Sequence, residues 1–136
     1  MKPNPEELCC ISIIICDDIY RDELTKKLVI IGTFNYINAR SFPCIQPRFR
    51  VLFTVTNGRG DYDLRLAVEH EQSGNRIVEL GGPFRVGDPL AISDVSIEIA
   101  NLVLNEPGKY WVTLRADNRI IQQRPFWVTP VTGGST

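Results

Sequence analysis

Chemistry-bearing residues are scarce in this chain. It has a single histidine, His70, and four cysteines, Cys9, Cys10, Cys16 and Cys44. It also lacks a surplus of either charge: 15 lysines and arginines meet 16 aspartates and glutamates over 136 residues, a net charge of −1. A general nucleic-acid binder carries a basic excess that neutralises phosphates, so nucleic acid is not an expected partner. The apolar run over residues 8–15 is too short to cross a bilayer, and no membrane contact is expected. Glu6 and Glu7 precede that run where a secretory signal carries lysine or arginine, which points to a cytoplasmic protein.

The same scarcity argues against catalysis. A Ser-His or Cys-His mechanism has to use His70, because the nucleophile needs a base beside it. No serine stands in a Gly-x-Ser-x-Gly elbow. Gly58-Arg59-Gly60 reads as a turn between strands, not as the strand-to-helix loop that cradles phosphate. No catalytic residue and no cofactor is assigned. Metal fares no better: the cysteines lack a Cys-x2-Cys pair. The acidic stretch Asp17, Asp18, Asp22 and Glu23 lacks the spaced ligand order of a calcium loop, and Arg21, Lys26 and Lys27 lie close enough to neutralise it. Cys9 and Cys10 are adjacent, so a strand turns them to opposite faces and they cannot easily pair. All four cysteines read as reduced thiols.

What the chain does have is alternation. At 136 residues it is the size of one compact domain that folds without metal or disulfides. Phe49, Val51, Phe53 and Val55 share one parity, with Arg48, Arg50, Thr54 and Thr56 on the other. Tyr62, Leu64, Leu66 and Val68 alternate against Asp61, Asp63, Arg65 and Glu69, and Tyr110, Val112 and Leu114 against Trp111, Thr113 and Arg115. Each pattern is a strand with one dry side and one wet side. Asn57-Gly58-Arg59-Gly60, rich in residues that accept positive φ, predicts a hairpin between the first two. Across it, Asp61 and Asp63 are placed to answer a basic stripe of Arg48, Arg50 and Arg59. Further turns are expected at 72–75, 105–109 and 116–119.

Strands are expected over about 9–16, 28–37, 48–56, 61–69, 76–80, 92–104, 109–116 and 119–128. The polar stretch 17–27 leaves room for one short helical turn. Gly81-Gly82-Pro83 is expected to end the fifth strand and leave an irregular crossing or short edge piece at 84–89. Val95, Ile97 and Ile99 hold one parity, Leu102 and Leu104 the other, which predicts an inserted bulge residue near Ala100-Asn101. With no helical run between strands, the fold class is all-β: an antiparallel two-sheet β-sandwich of eight or nine strands, with a β-barrel as the alternative. Residues 1–7 read as a flexible N-terminal segment, 8–128 as a single sandwich domain and 129–136 as a flexible tail.

Several motifs carry a resemblance. Cys16-Asp17-Asp18, the run from Lys27 to Phe34, Ser41-Phe42-Pro43, and Pro107-Gly108-Lys109-Tyr110 followed by Leu114 and Asp117 resemble a family of small bacterial all-β domains of unknown function, of immunoglobulin-like sandwich type. The resemblance runs from Cys16 to Val128 and implies a bacterial, intracellular sandwich; it brings no chemistry with it.

The candidate binding residues are Trp111, Thr113 and Arg115 on the wet face of their strand, with Trp127, Arg124 and Arg65 nearby. Aromatic and arginine side chains give area and directional bonds at interfaces, although a tryptophan in a sandwich also serves as simple packing. The expected partner is another protein or a second copy of the chain, since a sandwich has edge strands and few prolines interrupt these. The alternative is a carbohydrate or small molecule stacked on Trp111 and Trp127.

Overall fold

The computed structural model describes residues 7–131. Among them run nine strands and no helix: β1 (Cys9–Arg21), β2 (Leu28–Thr33), β3 (Tyr36–Ala39), β4 (Cys44–Thr56), β5 (Gly60–His70), β6 (Arg76–Val86), β7 (Ile92–Leu104), β8 (Gly108–Ala116) and β9 (Arg119–Pro130). Accordingly, none of the described residues forms a helix long and apolar enough to cross a membrane. The strands form a four-stranded sheet in the order β2-β1-β4-β7 and a five-stranded sheet in the order β3-β9-β8-β5-β6. Two sheets with four free edges make a sandwich, and the barrel alternative falls.

Strand path identifies the type of sandwich. The chain leaves the first sheet after β4, adds β5 and β6 to the second, returns for β7, and finishes with β8 and β9 in the second. With β1, β4 and β7 as strands A, B and E in one sheet, β5, β8 and β9 as C, F and G in the other, and β6 added beside C, this is the immunoglobulin arrangement. The sheets also carry β2 as an extra strand outside β1, and among the described residues no D strand flanks β7. Tyr110 at the start of β8 is buried and its phenol donates to the Glu106 carbonyl at 2.6 Å, the tyrosine corner of such sandwiches.

Alternation places the core where the sequence puts it. Phe49, Val51, Phe53 and Val55 of β4, Leu64, Leu66 and Val68 of β5, and Tyr110, Val112 and Leu114 of β8 are all buried. Phe49 from one sheet meets Phe126 from the other with ring centroids 5.3 Å apart, and Phe126 stacks on Tyr110 at the same distance. Cys10 and Cys16 are buried free thiols, pushed up in pKa by burial, while Cys9 is exposed on the opposite side from Cys10.

Several local expectations are corrected. The turn after β4 is not a hairpin: β4 and β5 lie in different sheets, and positive φ at Asn57, Gly58 and Gly60 carries the chain across. The 105–109 turn likewise changes sheets, leaving 72–75 and 116–119 as hairpin turns. With β4 and β5 apart, the expected basic stripe is broken: Arg50 pairs with Asp18 and Glu98, Asp61 with Arg85 and Asp63 with Arg65. β6 runs through Gly81-Gly82-Pro83, because an edge strand tolerates a proline and Gly81 lets two backbones approach. β1 continues through the acidic stretch to Arg21, and a turn capped by the Asp22 carboxylate replaces the helical turn. The expected 28–37 strand is two: β2 pairs with β1 and β3 with β9.

The phase change in β7 also has another cause. The β4–β7 register is constant from Cys44↔Leu104 to Thr56↔Ile92, so no residue is inserted. Instead Asn101 has φ of 54° and faces Pro47, which has no N–H to give the ladder. Both strands turn over together. At the end of the chain β9 reaches Pro130 by pairing parallel with β3, and the Val131 N–H donates to the Ala39 carbonyl, so strand structure extends into the expected tail. The expected flexibility of 1–6 and 132–136 lies outside the described residues.

Candidate functional site

The outer face of the five-stranded sheet collects most of the polar parity of β5, β6, β8 and β9. Register sets Arg65 opposite Arg115, Ala67 opposite Thr113, and Glu69 opposite Trp111 across β5 and β8. Beyond β8, Lys109 faces Trp127 of β9, which in turn faces Tyr36 of β3. One wet row thus spans three strands.

Glu69 is the centre of the polar half. Its carboxylate accepts the Thr113 hydroxyl at 2.7 Å, the Arg115 guanidinium at 3.1 Å and Arg76 Nε at 3.1 Å. Burial alone raises this carboxyl, but the Thr113 hydrogen bond and the charge of Arg115 more than reverse it and hold it below the ordinary range. Arg76 continues to Glu79 at 2.6 Å, and Arg65 lies against Asp63 at 3.2 Å. Thr113 is fully buried and its hydroxyl also accepts Gln123 Nε2. Nη1 of Arg115 is buried with no hydrogen-bond partner among the described residues. This half is a braced network, and Thr113 and Arg115 are internal members of it.

The aromatic half is more open. The ammonium of Lys109 lies 4.5 Å from the ring centre of Trp111 and 5.9 Å from that of Trp127, between the two indoles; such contacts contribute roughly 0.5–1 kcal/mol at exposed sites. Trp111 Nε1 donates to Glu71 Oε1 at 3.1 Å, and the same carboxylate pairs with Lys109 at 3.8 Å. Trp127 is 43% exposed and Tyr36 is 62% exposed. These side chains form a wet aromatic platform clamped by one cation.

The six sequence-derived residues therefore divide. Trp111 and Trp127 share the platform. Thr113, Arg115 and Arg65 adjoin it within the network around Glu69. Arg124 is not with them: its register partner is the core residue Val112, and its guanidinium donates to Asn35 Oδ1 at 2.6 Å. Burial lowers its pKa. Parity alone separates it, since three residues along a strand reverse the face. Lys109 and Tyr36 were missed. Lys109 shares the parity of Trp111 and was open to the same reasoning, whereas Tyr36 arrives only through the parallel β3–β9 pairing.

His70 is buried and serves two turns. Its Nε2 meets the Pro107 carbonyl at 3.1 Å, which fixes the proton there, and Nδ1 accepts from Ser73 Oγ at 2.9 Å and its backbone N–H at 3.3 Å. The ring also packs against Tyr110 in a tilted contact, with centroids 4.8 Å apart. Glu106 approaches the same Nδ1 at 3.3 Å, so serine and carboxylate meet one nitrogen instead of the two opposite ones that a Ser-His-acid triad needs.

Comparison with known proteins supports the architecture. Residues 11–129 match a family of unknown function, DUF6941, and no curated protein matches the chain. Among solved structures, a Pseudomonas fluorescens alkylpurine DNA glycosylase bound to DNA with an abasic site analog is similar at 12% identity and a TM-score of 0.53, over 90% of this chain and 30% of that one. A Listeria innocua β-glucosidase in complex with glucose is similar at 14% identity and a TM-score of 0.50, over 93% and 16% of the two chains. An immunoglobulin-like protein from Pseudomonas aeruginosa is 11% identical with a TM-score of 0.48, over 93% and 99%. The chain thus spans less than a third of either enzyme, and the likeness concerns fold alone.

Proposed function

The chain belongs to DUF6941, a family of unknown function, and from that premise we propose that it is a non-catalytic β-sandwich domain that binds another protein through the outer face of its five-stranded sheet. The observation that carries this reading is the Trp111–Lys109–Trp127 clamp with Tyr36 beside it. Rigid aromatic groups on a sheet offer contact area at small conformational cost, and the neighbouring carboxylates and guanidiniums form a polar rim. The partner is another protein or a second copy of the chain.

The exposed Trp127 ring and the half-buried Trp111 ring also favour a second reading, stacking of a carbohydrate ring. Lys109 weighs against it, because its ammonium already lies over Trp111 and near Trp127. Capture from a lysate of the source organism on immobilised wild-type chain is expected to retain a partner, with Trp127→Ala and Lys109→Glu each losing it at unchanged circular dichroism. Retention that survives both substitutions overturns the reading. Glycan-array binding lost in Trp127→Ala transfers the site to carbohydrate, and sedimentation velocity tests whether the partner is a second copy.

A further inference from the structure

On the side of the sandwich away from β3 and β9, the edge strands β6 and β7 leave the interior open. A cavity of about 490 Å³ enters there, within the usual range for ligand sites of about 300–1,000 Å³. Buried Phe53, Leu66 and Leu114 form its floor, Leu80 and Phe84 of β6 one wall, and half-buried Val95 and Ile97 of β7 the other. Immunoglobulin-type sandwiches place a D strand beside the strand that β7 represents. Here β7 ends its sheet, and its thirteen residues keep one side of their backbone unpaired by any described strand.

Gly82 marks the space. It lines the cleft with the parity of Leu80 and Phe84, and a Cβ built on it meets no heavy atom within 4 Å. Its neighbour Gly81 is the opposite case, since a Cβ there would lie 2.0 Å from the Leu64 carbonyl oxygen. Packing within the chain accounts for Gly81 and leaves the room at Gly82 unused.

We propose that this cleft receives an extended segment of another protein, laid against β7 as the missing strand, with alternate apolar side chains filling the cleft and lysines or arginines on the outside. The edge favours a strand over a hydrocarbon chain, which would fill the apolar volume but leave the β7 backbone unpaired. The outward residues of β7 at this level are Asp94, Ser96 and Glu98, opposite Thr54, Leu52 and Arg50. Arg50 is shared between Glu98 and Asp18, so the edge keeps an acidic character that calls for basic side chains alongside. A second β7 centred on the cleft does not suit it: antiparallel pairing of two β7 strands in the register about Ser96 sets Asp94 against Glu98, like against like. Neither 1–6 nor 132–136 supplies alternating apolar and basic residues. This surface is separate from the aromatic platform, and its test is independent of that one.

The probes are synthetic peptides of about ten residues, a common upper strand length, alternating valine with lysine, valine with glutamate, or serine with lysine. The valine–lysine peptide is expected to bind the wild-type chain by fluorescence anisotropy and to slow amide exchange in β7, with the other two weaker by roughly tenfold or more. Gly82→Leu fills the cleft and is expected to lose that binding at unchanged circular dichroism. Asp94→Lys with Glu98→Lys leaves the cleft intact and is expected to shift preference to the valine–glutamate peptide. Equal binding of all three peptides, binding indifferent to Gly82→Leu, a fatty acid bound in place of the peptides, or a dimer abolished by Gly82→Leu overturns the proposal.

Discussion

Gly81 and Gly82 are neighbours of one chemistry in opposite surroundings. At Gly81 the β5 backbone is so close that an added methyl would lie 2.0 Å from the Leu64 oxygen and 2.8 Å from the Arg65 Cα. Neither atom belongs to a flexible side chain, so the strands have to separate. Gly81→Ala is therefore expected to destabilise by about 1–3 kcal/mol, in the range of overpacked sites, while Gly82→Ala stays within about 0.5 kcal/mol. Urea unfolding of both variants checks this, and equal midpoints would refute the close approach. Nothing in Gly81-Gly82-Pro83 as a string distinguishes the two; their environment comes from β5, sixteen residues earlier in the register Arg65↔Gly81. His70 and Arg124 show the same limit. Nothing in the residues flanking His70 shows that it is buried between two turns, and Arg124, expected near the wet-face tryptophans, points with the core side of β9.

Between elements, the bonds of Glu69 tie β5 to β6 through Arg76 and to β8 through Thr113 and Arg115. Its folded pKa lies below its unfolded value, which is about 4.3 for a free glutamate. A carboxyl depressed on folding contributes stability that is fully present above the unfolded pKa and is lost as pH falls through the folded one. Asp22, held low by the Thr25 and Leu24 N–H groups, acts in the same direction. Wild type is thus expected to lose melting temperature on acidification below about pH 4.3. The gap between it and Glu69→Gln, which does not titrate, is expected to narrow over that same interval. A gap that stays constant with pH would show that the network holds without its charge. The alternation of β4, β5 and β8 foretold which of their residues face outward, including Glu69 and Thr113, but not that Arg76 from β6 would complete the set. A strand's own parity is local, whereas its neighbours are chosen across the sheet.

Across the whole molecule the two sheets meet through aromatic rings, with Phe49 against Phe126 and Phe126 against Tyr110. Phe126 and Trp127 are consecutive, one buried and one 43% exposed. Phe126→Ala is expected to cost about 3–5 kcal/mol, as for large core truncations, and to lower the cooperative transition of both sheets together. Trp127→Ala is expected to stay within about 1 kcal/mol, since it removes exposed surface and one distant cation contact. Thermal unfolding followed by far-ultraviolet circular dichroism separates the two, and similar losses would contradict the assigned faces. Sequence alone determined the all-β class, the inward parity of the central strands, the 72–75 and 116–119 hairpin turns and the outward parity of Trp111, because each follows from a period of two or from φ preferences within a few residues. Tertiary structure alone decided that Asn57–Gly60 crosses between sheets, that β3 joins β9 in parallel to bring Tyr36 to the platform, and that β7 is left without a neighbour. Strand partnership depends on how apolar faces from distant segments close over one another, and local alternation is identical whichever partner is chosen.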